Sequence, residues 1–189
     1  MINRRLDRTL LVVDNGSVYT SSIIDSLKET KTNHKRITFD KITQSDIEDS
    51  HSIILSGRIR NDAVMNAANS KLIRHALSKR KPLLGICYGA EILAITLGGT
   101  IKKMAQSRHG IHEACVIKEN LLCKGKIKVF ESHSYSIATL DSHFDVLASS
   151  NECRFEIFQY GSQDIFGTQF HPEMSEDGRH LLENFTSIK

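Results

Sequence analysis

Residues 82–99 read Pro82-Leu83-Leu84-Gly85-Ile86-Cys87-Tyr88-Gly89-Ala90-Glu91-Ile92-Leu93-Ala94-Ile95-Thr96-Leu97-Gly98-Gly99. A short apolar strand, 82–86, follows the proline. A helix over 88–97 comes at once and stops at a glycine pair, a common C-terminal signal. Between them, Gly85-Ile86-Cys87-Tyr88-Gly89 has the form glycine-x-nucleophile-x-glycine, the cysteine counterpart of the G-x-S-x-G elbow. A strand turning this sharply into a helix pushes the middle side chain into a strained position, and the flanking glycines let the backbones approach. Cys87 would then sit at a helix N-terminus, where the dipole and free amides favour a thiolate. The Tyr88 amide would point at any oxyanion formed beside the sulfur. A buried cysteine packed in a strand–helix turn would show the same five residues.

Upstream, strands and helices alternate. Thr9-Leu10-Leu11-Val12-Val13-Asp14, Arg36-Ile37-Thr38-Phe39-Asp40 and Ser52-Ile53-Ile54-Leu55 read as strands. Residues 17–28 and 61–79 carry apolar side chains at helical spacing. This order predicts βαβ units around a parallel sheet. Downstream the chain is richer in short strands: Ala114-Cys115-Val116-Ile117, Ile127-Lys128-Val129-Phe130, Asp145-Val146-Leu147-Ala148, 154–160 and Ile165-Phe166-Gly167-Thr168. A helix over 178–188 closes it. The expectation is one α/β domain, 1–189, with a mostly parallel central sheet flanked by helices and additional short strands in the second half.

Composition narrows the function classes. Of 189 residues, 40% are hydrophobic and 25% charged, which excludes a disordered chain. Lysine plus arginine (25) nearly cancels aspartate plus glutamate (22), and a net charge of +3 is too weak to argue for nucleic acid. No run approaches the roughly 18 apolar residues of a membrane span. The basic start, Met1-Ile2-Asn3-Arg4-Arg5, does not read as a secretory signal. A cytoplasmic chain with reduced Cys87, Cys115, Cys123 and Cys153 is expected. His109, His112 and Cys115 recur three apart but lack a fourth ligand, so surface or packing roles are expected and no metal site. No Walker or G-x-G-x-x-G loop occurs.

A nucleophilic cysteine needs a base, and the base an orienting group. Among nine histidines, His171 stands out in Phe170-His171-Pro172-Glu173. It follows a predicted strand, and if the extended path continues, Glu173 projects on the same side. The carboxylate would accept from one ring nitrogen and leave the other for the thiol. An isolated exposed His-Pro-Glu loop would read the same way.

Taken together and in order, Asp14-Asn15-Gly16-Ser17, Ile54-Leu55-Ser56-Gly57, Gly85-Ile86-Cys87-Tyr88-Gly89, Gly98-Gly99, Ser132-His133-Ser134 and Gly167-Thr168-Gln169-Phe170-His171-Pro172-Glu173 resemble the class I glutamine amidotransferases over essentially the whole chain. Within that family, residues 14–20 and Cys87-Tyr88-Gly89 are similar to the branch serving GMP synthesis, in its free-standing form. The resemblance implies a Cys87–His171–Glu173 triad that hydrolyses L-glutamine through a thioester. It implies oxyanion amides at Tyr88 and Arg58, and substrate contacts at Gly57, Glu91, Ser132, Ser134 and Tyr135. It also implies no cofactor in this chain. ATP and magnesium would belong to a separate ATP-pyrophosphatase, the synthetic component of GMP synthase, that uses the ammonia.

Three positions depart from the family pattern. Arg58 stands where a second glycine is usual, and arginine reaches positive φ less cheaply. Glu91 replaces a glutamine, which would favour an α-ammonium and repel an α-carboxylate. Ser134 replaces the usual glycine after His133. Arg58, Arg60 and Arg108 are expected at an interface with a nucleotide-handling partner, and His133 is expected to shape the site or the partner interface without being catalytic. Two rival readings are the amidotransferase component of anthranilate or aminodeoxychorismate synthase, and a non-catalytic binding module of the same fold.

Overall fold

Residues 10–14 are buried without a break, so β1 (Thr9–Asp14) is covered on both faces, as in a parallel sheet sandwiched by helices. The structure, a computed structural model, describes residues 8–188. The basic start, Met1 to Arg5, lies outside the described residues. After β1 come α1 (Thr20–Glu29), β2 (His34–Thr38), α2 (Gln44–Asp49), β3 (Ser50–Leu55), α3 (Ala63–Lys79), β4 (Leu83–Ile86) and α4 (Tyr88–Thr96). There follow β5 (Thr100–Val116), β6 (Lys126–Thr139), β7 (Phe144–Ser149), β8 (Ile157–Tyr160) and β9 (Ile165–Thr168). A 3-10 turn, Pro172–Met174, leads into α5 (Glu176–Thr186).

The strands form one sheet in the order β2-β1-β3-β4-β9-β8-β7-β5-β6. From β2 across to β9 all neighbours are parallel. From β9 to β6 they are antiparallel. The expected α/β sheet is present, as a parallel half and an antiparallel half joined where β9 lies between β4 and β8. Alternation along the strands fills two cores. Leu10, Val12, Ile54 and Leu84 pack with Ile23 and Leu27 of α1 and with Leu181 and Phe185 of α5. Leu11, Val13, Ile53 and Leu83 pack with Leu72 and Ile73 of α3 and Leu93 of α4. Each such aliphatic side chain contributes about 1.5–3 kcal/mol on burial.

Two features differ from the sequence expectation. One is α2, which the sequence does not announce: its six residues bury only Ile47, too little for a periodic pattern, and a capping box between Thr43 and Asp46 starts it. The other is the length of β5 and β6, which run to 17 and 14 residues rather than forming short strands. They pair as a hairpin from Thr100↔Thr139 to Cys115↔Lys126, interrupted between Lys103 and Arg108. Much of β5 is exposed and polar, so neither apolar alternation nor a tight turn marks it in the sequence. Among the described residues, no helix is long and apolar enough to cross a membrane.

Candidate active site

The turn between β4 and α4 has the elbow geometry. Cys87 takes φ 51° and ψ −104°, outside helix and strand alike, a conformation costing on the order of 1–3 kcal/mol that the surroundings must hold. The glycines make it possible. A Cβ on Gly85 would lie 2.4 Å from the Gly89 carbonyl oxygen, and one on Gly89 would lie 2.3 Å from that of Leu55. The Cys87 amide donates to the Thr168 carbonyl at 2.8 Å, which fastens the elbow to the end of β9.

That attachment brings His171 to the same place. β4 and β9 pair in register, Ile86 opposite Thr168, so both strands deliver their C-terminal loops to one sheet edge, as parallel strands do. His171 is buried, its amide bonded to the Phe130 carbonyl at 2.8 Å. Its Nδ1 lies 2.8 Å from Glu173 Oε1. The two side chains meet through the 3-10 turn at Pro172 rather than along the extended path the sequence suggests. With Nδ1 donating to the carboxylate, Nε2 is left as the acceptor.

A cleft of about 510 Å3 opens at the elbow. Cys87, Tyr88, Arg58 and Glu91 line it from one side, and Ser132, Ser134 and Tyr135 of β6 from the other. The Ser132 carbonyl oxygen lies 4.0 Å from Cys87 Sγ. Gly57 is not among the lining residues. It stands behind the cleft against the imidazole, where a Cβ would come within 2.9 Å of His171 Cε1. Arg58 does not occupy the left-handed region, so replacing glycine there imposes no such strain. Its guanidinium lies over the Tyr88 ring at 4.2 Å and is paired with Glu91 at 4.0 Å.

The electrostatics correct one expectation. Burial pushes the Cys87 thiol well above its ordinary pKa, and the charges of Glu91, Glu173 and Glu131 push it further. The Tyr88 amide, which faces the sulfur, opposes them and loses. The resting group is a thiol, because desolvation and three carboxylates outweigh one helix N-terminus. Burial likewise raises the Glu91 carboxyl, against the charges of Arg58 and His133.

A second correction concerns Arg108, which turns inward instead of facing a partner. It lies 3.7 Å from Glu131, 3.5 Å from Glu156 and 3.0 Å from Glu152. Glu131 and Glu156 are wholly buried. Burial, then the Glu131 charge, pushes Glu156 up to about 8, so it keeps its proton near neutrality. Because folding raises this carboxyl, its contribution is complete below the unfolded value and is lost as pH rises toward 8. Glu156→Gln supplies a permanently neutral donor. Its thermal midpoint relative to wild type should therefore climb between pH 5 and pH 8, by roughly 5 °C or more. Melts at the two pH values check this, and a pH-independent difference would contradict it.

Two neighbours of the site have no assignment from the sequence. Tyr19 packs edge-on to the His171 ring at 4.6 Å and donates from its hydroxyl to Ser132 Oγ at 3.3 Å. It belongs to the 14–20 segment, which was the available signal. Glu131 gave none: an acidic residue two before a histidine in a strand reads as solvated. His109, one of the three spaced side chains, packs edge-on to Phe130 at 5.2 Å.

Comparison with known proteins identifies the family. The family model for glutamine amidotransferase class-I matches residues 11–188. The chain is 31% identical over 189 residues to the A component of GMP synthase (glutamine-hydrolyzing) of Methanosphaera stadtmanae, covering 95% of this chain and 97% of that one. It is 30% identical over 186 residues to GMP synthase (glutamine-hydrolyzing) of Bacteroides fragilis, of whose length it spans only 36%. A crystal structure from Thermoplasma acidophilum, provisionally assigned as the same A component of a GMP synthase, superposes with a TM-score of 0.85 at 28% identity, covering 95% of this chain and 92% of that one. A glutamine amidotransferase of Thermotoga maritima shares the fold, with a TM-score of 0.79 at 19% identity over 94% of this chain and 81% of that one. An elbow cysteine beside a His–Glu pair, on a sheet matched from end to end, leaves one assignment: the chain belongs to the class I glutamine amidotransferase family.

Proposed function

We propose that this chain is the glutamine-hydrolysing subunit of a two-polypeptide GMP synthase. The observation carrying this reading is the β4–β9 pairing, which holds the Cys87 elbow and the His171–Glu173 pair at one sheet edge. Cys87 Sγ attacks the side-chain carbonyl carbon of L-glutamine while its proton passes to His171 Nε2. Charge developing on the carbonyl oxygen is met by the Tyr88 amide and, in this reading, that of Arg58. Collapse expels ammonia, which takes its proton from His171, and leaves a γ-glutamyl thioester. Water activated by His171 then releases glutamate, with Glu173 holding the ring throughout. Because burial and the nearby carboxylates raise the Cys87 thiol, His171 must take up its proton for the sulfur to attack.

The amino-acid end of the substrate falls to the cleft wall. Glu91 accepts the α-ammonium, and the Arg58 guanidinium beside it meets the α-carboxylate. Ser132, Ser134 and Tyr135 close the opposite side, while Gly57 leaves room for the imidazole. The ammonia serves a separate ATP-pyrophosphatase, the synthetic component of GMP synthase, which carries ATP and magnesium. The chain alone is expected to be a weak glutaminase, because Arg58 and Glu91 occupy the pocket as a mutual pair. The deciding experiment combines the purified chain with that partner, XMP, ATP and magnesium, and measures GMP from glutamine. Failure of the pair to use glutamine, while ammonia still supports GMP formation, would refute the assignment.

Glutaramate, which lacks the α-ammonium, tests the role of Glu91. Wild type should prefer glutamine over it, and Glu91→Gln should narrow that preference by roughly tenfold or more, the scale of one charge-assisted contact. Competition kinetics on the reconstituted pair read this ratio. An unchanged preference would remove Glu91 from substrate recognition.

A further inference from the structure

Two carboxylate–imidazole pairs flank Cys87, and only one has a free nitrogen. His171 uses Nδ1 for Glu173. His133, which lines the cleft, uses both: Nε2 lies 2.7 Å from Glu131 Oε2 and Nδ1 2.7 Å from the Tyr135 carbonyl oxygen. Both partners are oxygens, so Nδ1 must donate to the carbonyl, and one further proton lies between Nε2 and the carboxylate. A ring engaged at both nitrogens is no base. It is a brace.

What it braces is the irregular part of the hairpin. Pairing runs Lys103↔Tyr135 and then jumps to Arg108↔His133, so Ser134 faces a bulge of several β5 residues. At this break β6 presents its Ser132 carbonyl to Cys87 and its Ser134 and Tyr135 to the cleft. The Nδ1–Tyr135 bond spans Ser134, and the Nε2–Glu131 bond ties the same ring to a fully buried carboxylate. Arg108 and Glu156 surround that carboxylate from β5 and from the segment before β8. The brace is thus anchored in the interior, while Ser134 itself is exposed.

We propose that His133 is a positioning residue for the glutamine cleft, clamped between Glu131 and the Tyr135 carbonyl so that β6 holds Ser132, Ser134 and Tyr135 in place over Cys87. This rests on the glutamine-hydrolase reading. The residue touches the wall and not the chemistry, so its loss is felt in substrate capture first.

The test measures glutamine hydrolysis by the chain with its partner, normalised to Cys87 labelled by a glutamine-analogue electrophile. His133→Phe keeps the ring and removes both bonds. It should raise KM about tenfold and leave kcat per labelled Cys87 within about twofold. Glu131→Gln still offers an amide to Nε2 and should hold KM within about threefold of wild type, whereas Glu131→Leu should match His133→Phe. His133→Asn retains a donor where Nδ1 lies and should fall between. A merely structural role predicts instead fewer labelled sites at unchanged KM. That outcome overturns the proposal, as would Glu131→Gln and Glu131→Leu behaving alike. Should His133→Phe fail to fold, the two Glu131 variants decide. If wild type with its partner neither hydrolyses glutamine nor is labelled, the functional reading itself fails and the brace loses its purpose. Labelling and turnover in wild type with unmoved variants sinks the brace alone.

Discussion

Cys87→Ala is expected to lower glutamine hydrolysis by roughly four orders of magnitude or more, the scale seen when a covalent nucleophile is removed. The reason lies in the elbow. Cys87 is the only sulfur among the residues lining the cleft, and the buried His171–Glu173 pair has no second nucleophile to serve. The backbone strain at φ 51° belongs to the turn and not to the thiol, so alanine inherits it and the fold should survive. Thermal melting within a few degrees of wild type is therefore part of the expected result. In the reconstituted pair, glutamine-dependent GMP formation should vanish while ammonia-dependent formation continues. Loss of both would mean that Cys87 serves the architecture of the complex rather than the chemistry.

Gly89→Ala should be strongly destabilising. The added Cβ would meet the Leu55 carbonyl oxygen at 2.3 Å and the Leu55 Cβ at 2.9 Å. Neither can swing aside, because β3 is paired on both edges, with β1 and β4. Relief requires α4 to shift away from the sheet, opening the Leu55–Ile92–Leu93 packing. Overpacking of this kind costs typically about 1–3 kcal/mol and more where backbone is the obstacle, so about 3–5 kcal/mol is expected. Urea unfolding reads that loss, and thiol alkylation reads the displacement of the elbow. A variant as stable as wild type would show that α4 is free to slide, contrary to the close strand–helix approach at Gly89.

Much of this is legible in the chain, for reasons that differ by element. β1, β3, β4 and β9 are apolar runs ended by glycine or polar residues, and buried parallel strands leave that mark. The elbow is visible because two glycines bracket Cys87, and steric necessity writes itself into sequence. The β5–β6 hairpin is only half visible. Its exposed, charged residues are held by cross-strand pairing alone, and partners on another strand leave no local periodicity. Arg108 misleads for the same reason. An arginine in an exposed strand reads as solvated until Glu131 and Glu156 are seen behind it. The helix N-terminus, a local feature, suggests a thiolate at Cys87. Its actual state is governed by burial, by Glu91 one turn into the same helix, and by two carboxylates distant in sequence, Glu131 on β6 and Glu173 after β9.

β9 comes last of the strands in sequence and yet lies in the middle of the sheet. During synthesis β4 and β8 must each wait with one edge unsatisfied until residues 165–168 emerge and join both. Any sheet formed before then would leave those two edges open, the condition under which strands most readily pair with the wrong neighbour. The same late strand carries His171 in behind it. No fragment lacking residues 165–173 can assemble the cysteine with its imidazole, so the chain acquires its reactive pair only once the last strand is in place.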